Sequence, residues 1–293
     1  MSFSGTYTAL ITPFRDGVVD VPAFQALIER QIEAGVDGIV PVGTTGESPT
    51  LDGHEHLEVI RLAVEAAKGR CQVVAGTGAN ATLEAIELTE KAEALGATGS
   101  LQVCPYYNKP SQEGLYKHFK AVADATSLPI MLYSIPGRSV IEIATDTVAR
   151  LANDCKNITA VKEAGGSVDR VNQLVQDCPE GFAILSGDDP LTLPFMSCGA
   201  TGLVSVASNI IPDVMAKLVR ACLNGSYDEA FALQKQYYPL LRGLMSLDVN
   251  PVPIKTAAHL MGMCTDEIRL PLCTMSEEQI KDLKALLDEF DLI

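Results

Sequence analysis

The chain has 293 residues, 47% of them hydrophobic, enough for a large core built either as two ordinary domains or as one α/β barrel. Its formal net charge is −15 and it has no lysine/arginine run, which argues against a nucleic-acid or anionic-membrane surface. Met1-Ser2-Phe3-Ser4-Gly5 lacks the features of a secretory leader and no apolar run approaches the roughly 18 residues of a membrane span, so a soluble cytoplasmic protein is expected.

Short apolar runs alternate with longer amphipathic ones, the pattern of repeated βα units. Strands are expected at 7–11, 38–42, 72–75, 99–103, 130–134, 158–162, 183–186 and 202–206. Among the intervening helices, 54–68 carries Leu57, Ile60, Val64 and Ala67 on one stripe, and 82–95 carries Leu88, Ala92 and Leu95. Eight units in so short a stretch fit an α/β fold of the (β/α)8 TIM-barrel type better than a doubly wound sheet. Beyond about residue 224 only helical patterns remain, at 226–247, 253–263 and 276–290, the last opened by the capping box Ser276-Glu277-Glu278-Gln279. The expected organisation is a catalytic barrel over 1–224 and a C-terminal helical appendage over 225–293.

The eight cysteines, from Cys71 to Cys273, show no C-x-x-C pair and read as free thiols. His54 and His56 lie two residues apart and cannot share a helix face, so no metal is expected.

Ile158-Thr159-Ala160-Val161-Lys162-Glu163-Ala164-Gly165-Gly166 reads as a buried strand with a lysine near its end. Desolvation disfavours an ammonium and makes a nucleophilic amine available near neutral pH, which is how Schiff-base lysines arise. Taken alone, the stretch fits a snorkelling lysine better than a reactive one. In a barrel, however, chemistry gathers at the C-terminal ends of the strands. There the chain carries Gly43-Thr44-Thr45-Gly46-Glu47-Ser48, Tyr133, Pro136-Gly137-Arg138, Lys162 and Ser186-Gly187-Asp188-Asp189. Singly, Thr44-Thr45 and Asp188-Asp189 also read as helix caps and Tyr133 as a core aromatic; their shared position points to a site.

These stretches, with Gly76-Thr77-Gly78-Ala79-Asn80 and Pro105-Tyr106-Tyr107-Asn108-Lys109-Pro110, resemble the dihydrodipicolinate synthase family over nearly the whole chain. The family comprises pyruvate-dependent, class I aldolase-like enzymes of lysine biosynthesis. Two positions depart from its pattern: Ser134 replaces a common asparagine, and Gly53 replaces a histidine frequent in lysine-responsive members. The stretch from Gly76 to Ala81 formally fits a dinucleotide fingerprint, but the next strand runs into Cys104-Pro105 with no acidic residue for a ribose; a tight βα turn is expected instead.

The resemblance implies a synthase in which the Lys162 amine attacks the ketone of pyruvate. The resulting enamine adds to L-aspartate 4-semialdehyde, giving 4-hydroxy-tetrahydrodipicolinate in the diaminopimelate route to lysine. It implies no cofactor. Tyr133 is implied as the proton-transfer group, with Thr44 and Tyr107 as its relay, and Tyr107 reaching into a neighbouring subunit of a homo-oligomer, typically a tetramer. Arg138 is implied as the anchor for the semialdehyde carboxylate, and Thr45, Gly187 and Val204 as contacts to pyruvate. Ser48, His56, Asn80, Glu84 and Tyr106 match positions that bind L-lysine as feedback inhibitor, and Gly53 implies a weaker or differently tuned response. Lys255, in the appendage, reads as structural.

N-Acetylneuraminate lyases and 2-keto-3-deoxy sugar acid aldolases would share Lys162 and Tyr133 but usually lack an arginine at the place of Arg138. A non-catalytic small-molecule sensor on the same barrel should have lost a catalytic residue, and none is missing.

Overall fold

A computed structural model describes residues 3–293. Eight parallel strands form its centre: β1 (Gly5–Ala9), β2 (Gly38–Val40), β3 (Gln72–Gly76), β4 (Gly99–Val103), β5 (Ile130–Ser134), β6 (Ile158–Glu163), β7 (Ala183–Ser186) and β8 (Gly202–Ser205). Each pairs with its sequence neighbours, and β1 pairs with β8 from Gly5↔Gly202 to Thr8↔Ser205, which closes the barrel. Helices α1 to α8 follow the strands in turn: Val21–Glu33, Gly53–Ala67, Thr82–Ala94, Gln112–Asp124, Thr145–Asp154, Val168–Asp177, Thr192–Ser197 and Pro212–Leu223.

Alternation along each strand divides the apolar residues into two cores. Tyr7, Val74, Leu101, Met131, Ala160 and Leu185 fill the barrel interior, while Ile39, Val73, Leu132, Val161, Ile184 and Leu203 meet the surrounding helices. At the end of β5, Tyr133 therefore points inward and Ser134 outward; at the end of β6, Lys162 points inward and Glu163 outward.

Strands β4, β5 and β7 have the bounds expected from the sequence, and the differences elsewhere have local causes. β2 stops at Val40 because Pro41 has no N–H for the ladder and Val42 turns away with φ of 51°. β8 stops at Ser205 because the Val206 N–H goes to Asp189 Oδ2, at 2.9 Å. β1 begins two residues earlier than expected, and past its end the Ile11 N–H goes to Asn209 Oδ1 at 3.1 Å. Gly76 and Gly78 serve close backbone approach: a Cβ would lie 2.4 Å from the Val42 carbonyl oxygen at the first and 2.3 Å from the Val103 nitrogen at the second.

Three further helices follow: α9 (Tyr227–Ser246), α10 (Val252–Leu260) and α11 (Glu277–Asp288). Their expected ends move by one to three residues, because flanking positions such as Ser226 and Ser276 are caps. The capping box is present, with Ser276 Oγ accepting from the Gln279 N–H at 3.3 Å and Gln279 Oε1 from the Ser276 N–H at 2.9 Å. An equivalent box, Asp52 with Glu55, starts α2 one residue before the expected position. Among the described residues no helix is long and apolar enough to cross a membrane.

Candidate active site

Lys162 and Tyr133 are cross-strand neighbours in the β5–β6 ladder, both nearly buried, with Lys162 Nζ 4.1 Å from the Tyr133 ring centroid. Burial pulls the Lys162 pKa down to about 7; the charge of Asp189 opposes the shift and that of Arg138 adds to it. Burial likewise pushes the Tyr133 phenol up to about 12, against the pull of Arg138 and of a hydrogen bond with Thr44. The pair thus presents an amine that is substantially neutral near pH 7 beside a phenol that keeps its proton. Gly187 makes room for the lysine arm: a Cβ there would lie 3.0 Å from Lys162 Cε and 2.8 Å from Ala164 Cβ.

The loop after β2 supplies Thr44 and Thr45 through a strained turn, with Val42 at φ 51° and Glu47 at φ 56°. Thr45 is buried, and its Oγ1 accepts from Asn250 Nδ2 at 3.1 Å. Arg138 stands exposed on the short turn after β5, its Nη2 donating to the Asn250 carbonyl at 2.8 Å. One residue of the helical appendage therefore touches both. Val204 points into the barrel from β8. Neither Asp188 nor Asp189 caps its own helix. The buried Asp189 carboxylate instead accepts from the N–H groups of Val206 and Ala207 at 2.9 and 3.0 Å and from Ser205 Oγ at 2.5 Å, joining the ends of β7 and β8. Burial and the neighbouring Asp189 charge push Asp188 up to about 6.

A cavity of about 420 Å³ opens beside this mouth, lined by Thr44 and Arg138 and also by Ser48, His56, Glu84 and Tyr106. His56 Nε2 donates to the Gly76 carbonyl at 2.9 Å, and burial lowers its pKa, so the ring is a neutral donor. Asn80 sits against the cavity wall, its Nδ2 donating to the Tyr106 carbonyl at 3.4 Å. Gly53 lines the cavity too, and a Cβ there would meet nothing within 4 Å. Ser134, on the outer face of β5, accepts a long 3.4 Å bond from the Ile143 N–H and does not face Tyr133.

Tyr107 is the expected catalytic residue that this chain does not bring to the mouth. It is 89% exposed, on a loop that holds it at φ 72°, a conformation unfavourable for an aromatic residue. Sequence reasoning missed Asn250, and placed Asp189 at the mouth without its partners on β8 and the loop beyond. Asn250 lies 205 residues from its Thr45 partner, and its only local signal is a polar residue opening Pro251-Val252-Pro253.

The match to known proteins runs the length of the chain. The sequence pattern of the Dihydrodipicolinate synthetase family covers residues 2–290. The 4-hydroxy-tetrahydrodipicolinate synthase of Endomicrobium trichonymphae is 51% identical over 291 residues, 99% of each chain. Among solved structures, the 4-hydroxy-tetrahydrodipicolinate synthase of the methanotroph Methylacidiphilum fumariolicum SolV superposes with a TM-score of 0.97 at 54% identity, over 99% of this chain and 96% of that one. The synthase of Cyanidioschyzon merolae, solved with lysine bound, superposes with a TM-score of 0.96 at 40% identity over 99% of both chains. A barrel mouth built around an inward lysine and tyrosine, in a chain that matches this family from end to end, leaves one assignment: the protein belongs to the dihydrodipicolinate synthetase family.

Proposed function

We propose that this enzyme condenses pyruvate with L-aspartate 4-semialdehyde to give 4-hydroxy-tetrahydrodipicolinate, with Lys162 as the Schiff-base nucleophile. The observation that carries the reading is the buried amine itself, its pKa lowered to about 7 beside the Tyr133 phenol. The neutral amine attacks the pyruvate ketone; the carbinolamine hydroxyl leaves as water after taking a proton, and an iminium remains. Loss of a methyl proton gives the enamine, whose carbon adds to the aldehyde. The substrate's own amino group then displaces Lys162 and closes the ring, returning the free amine.

Tyr133 supplies and retrieves these protons. A phenol held near pKa 12 stays protonated between steps and readily takes its proton back, while its bond to Thr44 stabilises the phenolate and eases the donation. Tyr107 completes the relay from a second copy of the chain, which accounts for an aromatic side chain left exposed on a strained loop. The working form is therefore a homo-oligomer, a tetramer by analogy, and sedimentation of the purified protein tests that. Arg138 grips the semialdehyde carboxylate, and Thr45, Gly187 and Val204 hold pyruvate.

L-Lysine, as feedback inhibitor, occupies the Ser48, His56, Asn80, Glu84 and Tyr106 end of the cavity, with a weaker or differently tuned response for want of a histidine at Gly53. The division into a barrel over 1–224 and an appendage over 225–293, and a cytoplasmic setting, belong to the same reading.

Purified protein given pyruvate with L-aspartate 4-semialdehyde should form the cyclic product, whereas N-acetylneuraminate and 2-keto-3-deoxy sugar acids should be cleaved at least about 100-fold less efficiently. Preferential cleavage of a sugar acid would replace the assignment with the rival one.

A further inference from the structure

Lys255, on α10, is fully buried, and its Nζ donates to Glu47 Oε1 at 2.5 Å while lying 4.1 Å from the Phe14 ring centroid. The other oxygen of Glu47 accepts the Arg269 backbone N–H at 3.1 Å. The Arg269 guanidinium covers Phe14 as well, at 4.2 Å, donates to the Thr50 carbonyl at 2.8 Å and holds Glu55 through two bonds of 2.6 Å. The C-terminal helices and the segment beyond α10 thus grip the loop after β2 at Glu47 and Thr50, and the first turn of α2 at Glu55.

Glu47 is tied directly to the turn that carries the two threonines. Its N–H donates to the Thr44 carbonyl at 3.1 Å, and the Gly46 and Ser48 N–H groups donate to the Gly43 carbonyl at 3.1 and 3.3 Å. Its own φ of 56° is one that L side chains rarely adopt, so the turn needs outside support to hold its shape. Asn250, five positions before Lys255, reaches Thr45 and Arg138 from the same side.

A buried ion pair is a poor way to gain stability, because well-packed apolar residues of similar volume do at least as well. What it supplies is direction, since a carboxylate fixed by an ammonium and a backbone N–H has one place to be. We propose that the Glu47–Lys255 pair is a positioning device, by which the C-terminal helices set the Thr44-Thr45 turn where Thr44 meets Tyr133 and Thr45 meets pyruvate. The proposal rests on the roles given to those threonines above. It also gives the appendage a function at the mouth, beyond the structural part its sequence suggests for Lys255.

The test compares Lys255→Met with the double variant Glu47→Gln/Lys255→Met in the full-length protein, following melting temperature, steady-state kinetics and the rate of borohydride trapping with pyruvate. Lys255→Met leaves a buried carboxylate without its cation and should lose both stability and activity. The double variant removes both charges and should regain a melting temperature near wild type, while kcat/KM for pyruvate and the trapping rate stay roughly 10- to 100-fold low. Should those two variants fail to fold, Glu47→Gln keeps the side-chain volume and one acceptor oxygen, for either Lys255 or the Arg269 N–H, and carries the same comparison. Wild-type kinetics in the folded double variant, or in Glu47→Gln if that alone folds, would overturn the positioning role. Absence of a Lys162 adduct in the wild-type protein would instead overturn the mechanism on which it rests.

Discussion

Two lysines of this chain are buried beside aromatic rings, each with its Nζ 4.1 Å from a ring centroid: Lys162 over Tyr133 at the barrel mouth, and Lys255 over Phe14 in the C-terminal helices. Burial lowers the pKa of both. Their partners separate them. Lys255 has the Glu47 carboxylate at 2.5 Å, which favours the ammonium and holds it in place. Lys162 has only the unbonded charge of Asp189 in its favour, opposed by that of Arg138, and the Asp189 oxygens are already bonded to Ser205, Val206 and Ala207. Burial alone does not make a nucleophile; burial without a bonded carboxylate does.

That contrast can be broken most severely at Lys162. Lys162→Met should lower kcat by about 10⁴-fold or more in the steady-state assay, because among the described residues no other buried lysine stands beside Tyr133. Residual turnover near the wild-type rate would put the nucleophile elsewhere. Tyr133→Phe removes the proton carrier and leaves the amine, so kcat should fall by roughly 10²- to 10⁴-fold while the protein still forms its pyruvate adduct slowly.

Stability should move in opposite directions at the two lysines. Lys255→Met strands the Glu47 carboxylate and should cost about 3–5 kcal/mol in denaturant unfolding. Lys162→Met removes a group whose charged form is disfavoured in the fold, and should raise the melting temperature at pH 7 by roughly 2–6 °C. The sign follows from linkage. The unfolded lysine keeps its proton to about pH 10, whereas the folded one loses it near pH 7. Its protonation therefore favours the unfolded chain increasingly as pH falls from about 10 to 7. The gain from Lys162→Met should be full below pH 7 and vanish above about pH 10; a gain that persists at high pH would implicate packing instead.

The smallest effect concerns the cavity beside the site. Gly53 has open space where a side chain would go, so Gly53→His should fold normally and tighten inhibition by L-lysine several-fold, about 1 kcal/mol. An unchanged inhibition curve would remove Gly53 as the tuning position.

Much of the arrangement was legible in the sequence because it follows from alternation. The apolar runs 99–103, 130–134 and 183–186 coincide with strands to the residue. Two-residue periodicity alone turns Tyr133 and Lys162 inward and Ser134 outward. Legibility ends where a contact depends on distant chain. Glu47 and Lys255 lie 208 residues apart and Thr45 and Asn250 lie 205 apart, and no local pattern in either partner announces the other. Asp189 looked like a helix cap because its type and place fit one, yet the unpaired N–H groups it satisfies belong to the next loop. Tyr107 was legible only as a family position, since its proposed partners lie in another copy of the chain.

The central claim is that Lys162, not Lys255, carries pyruvate. Borohydride reduction in the presence of pyruvate, followed by peptide mass spectrometry across a pH series, tests it directly. The account predicts a single adduct on Lys162, with a trapping rate that rises with pH and levels off above about pH 7, as the amine loses its proton. An adduct on Lys255 or another lysine, or none at all, would contradict it.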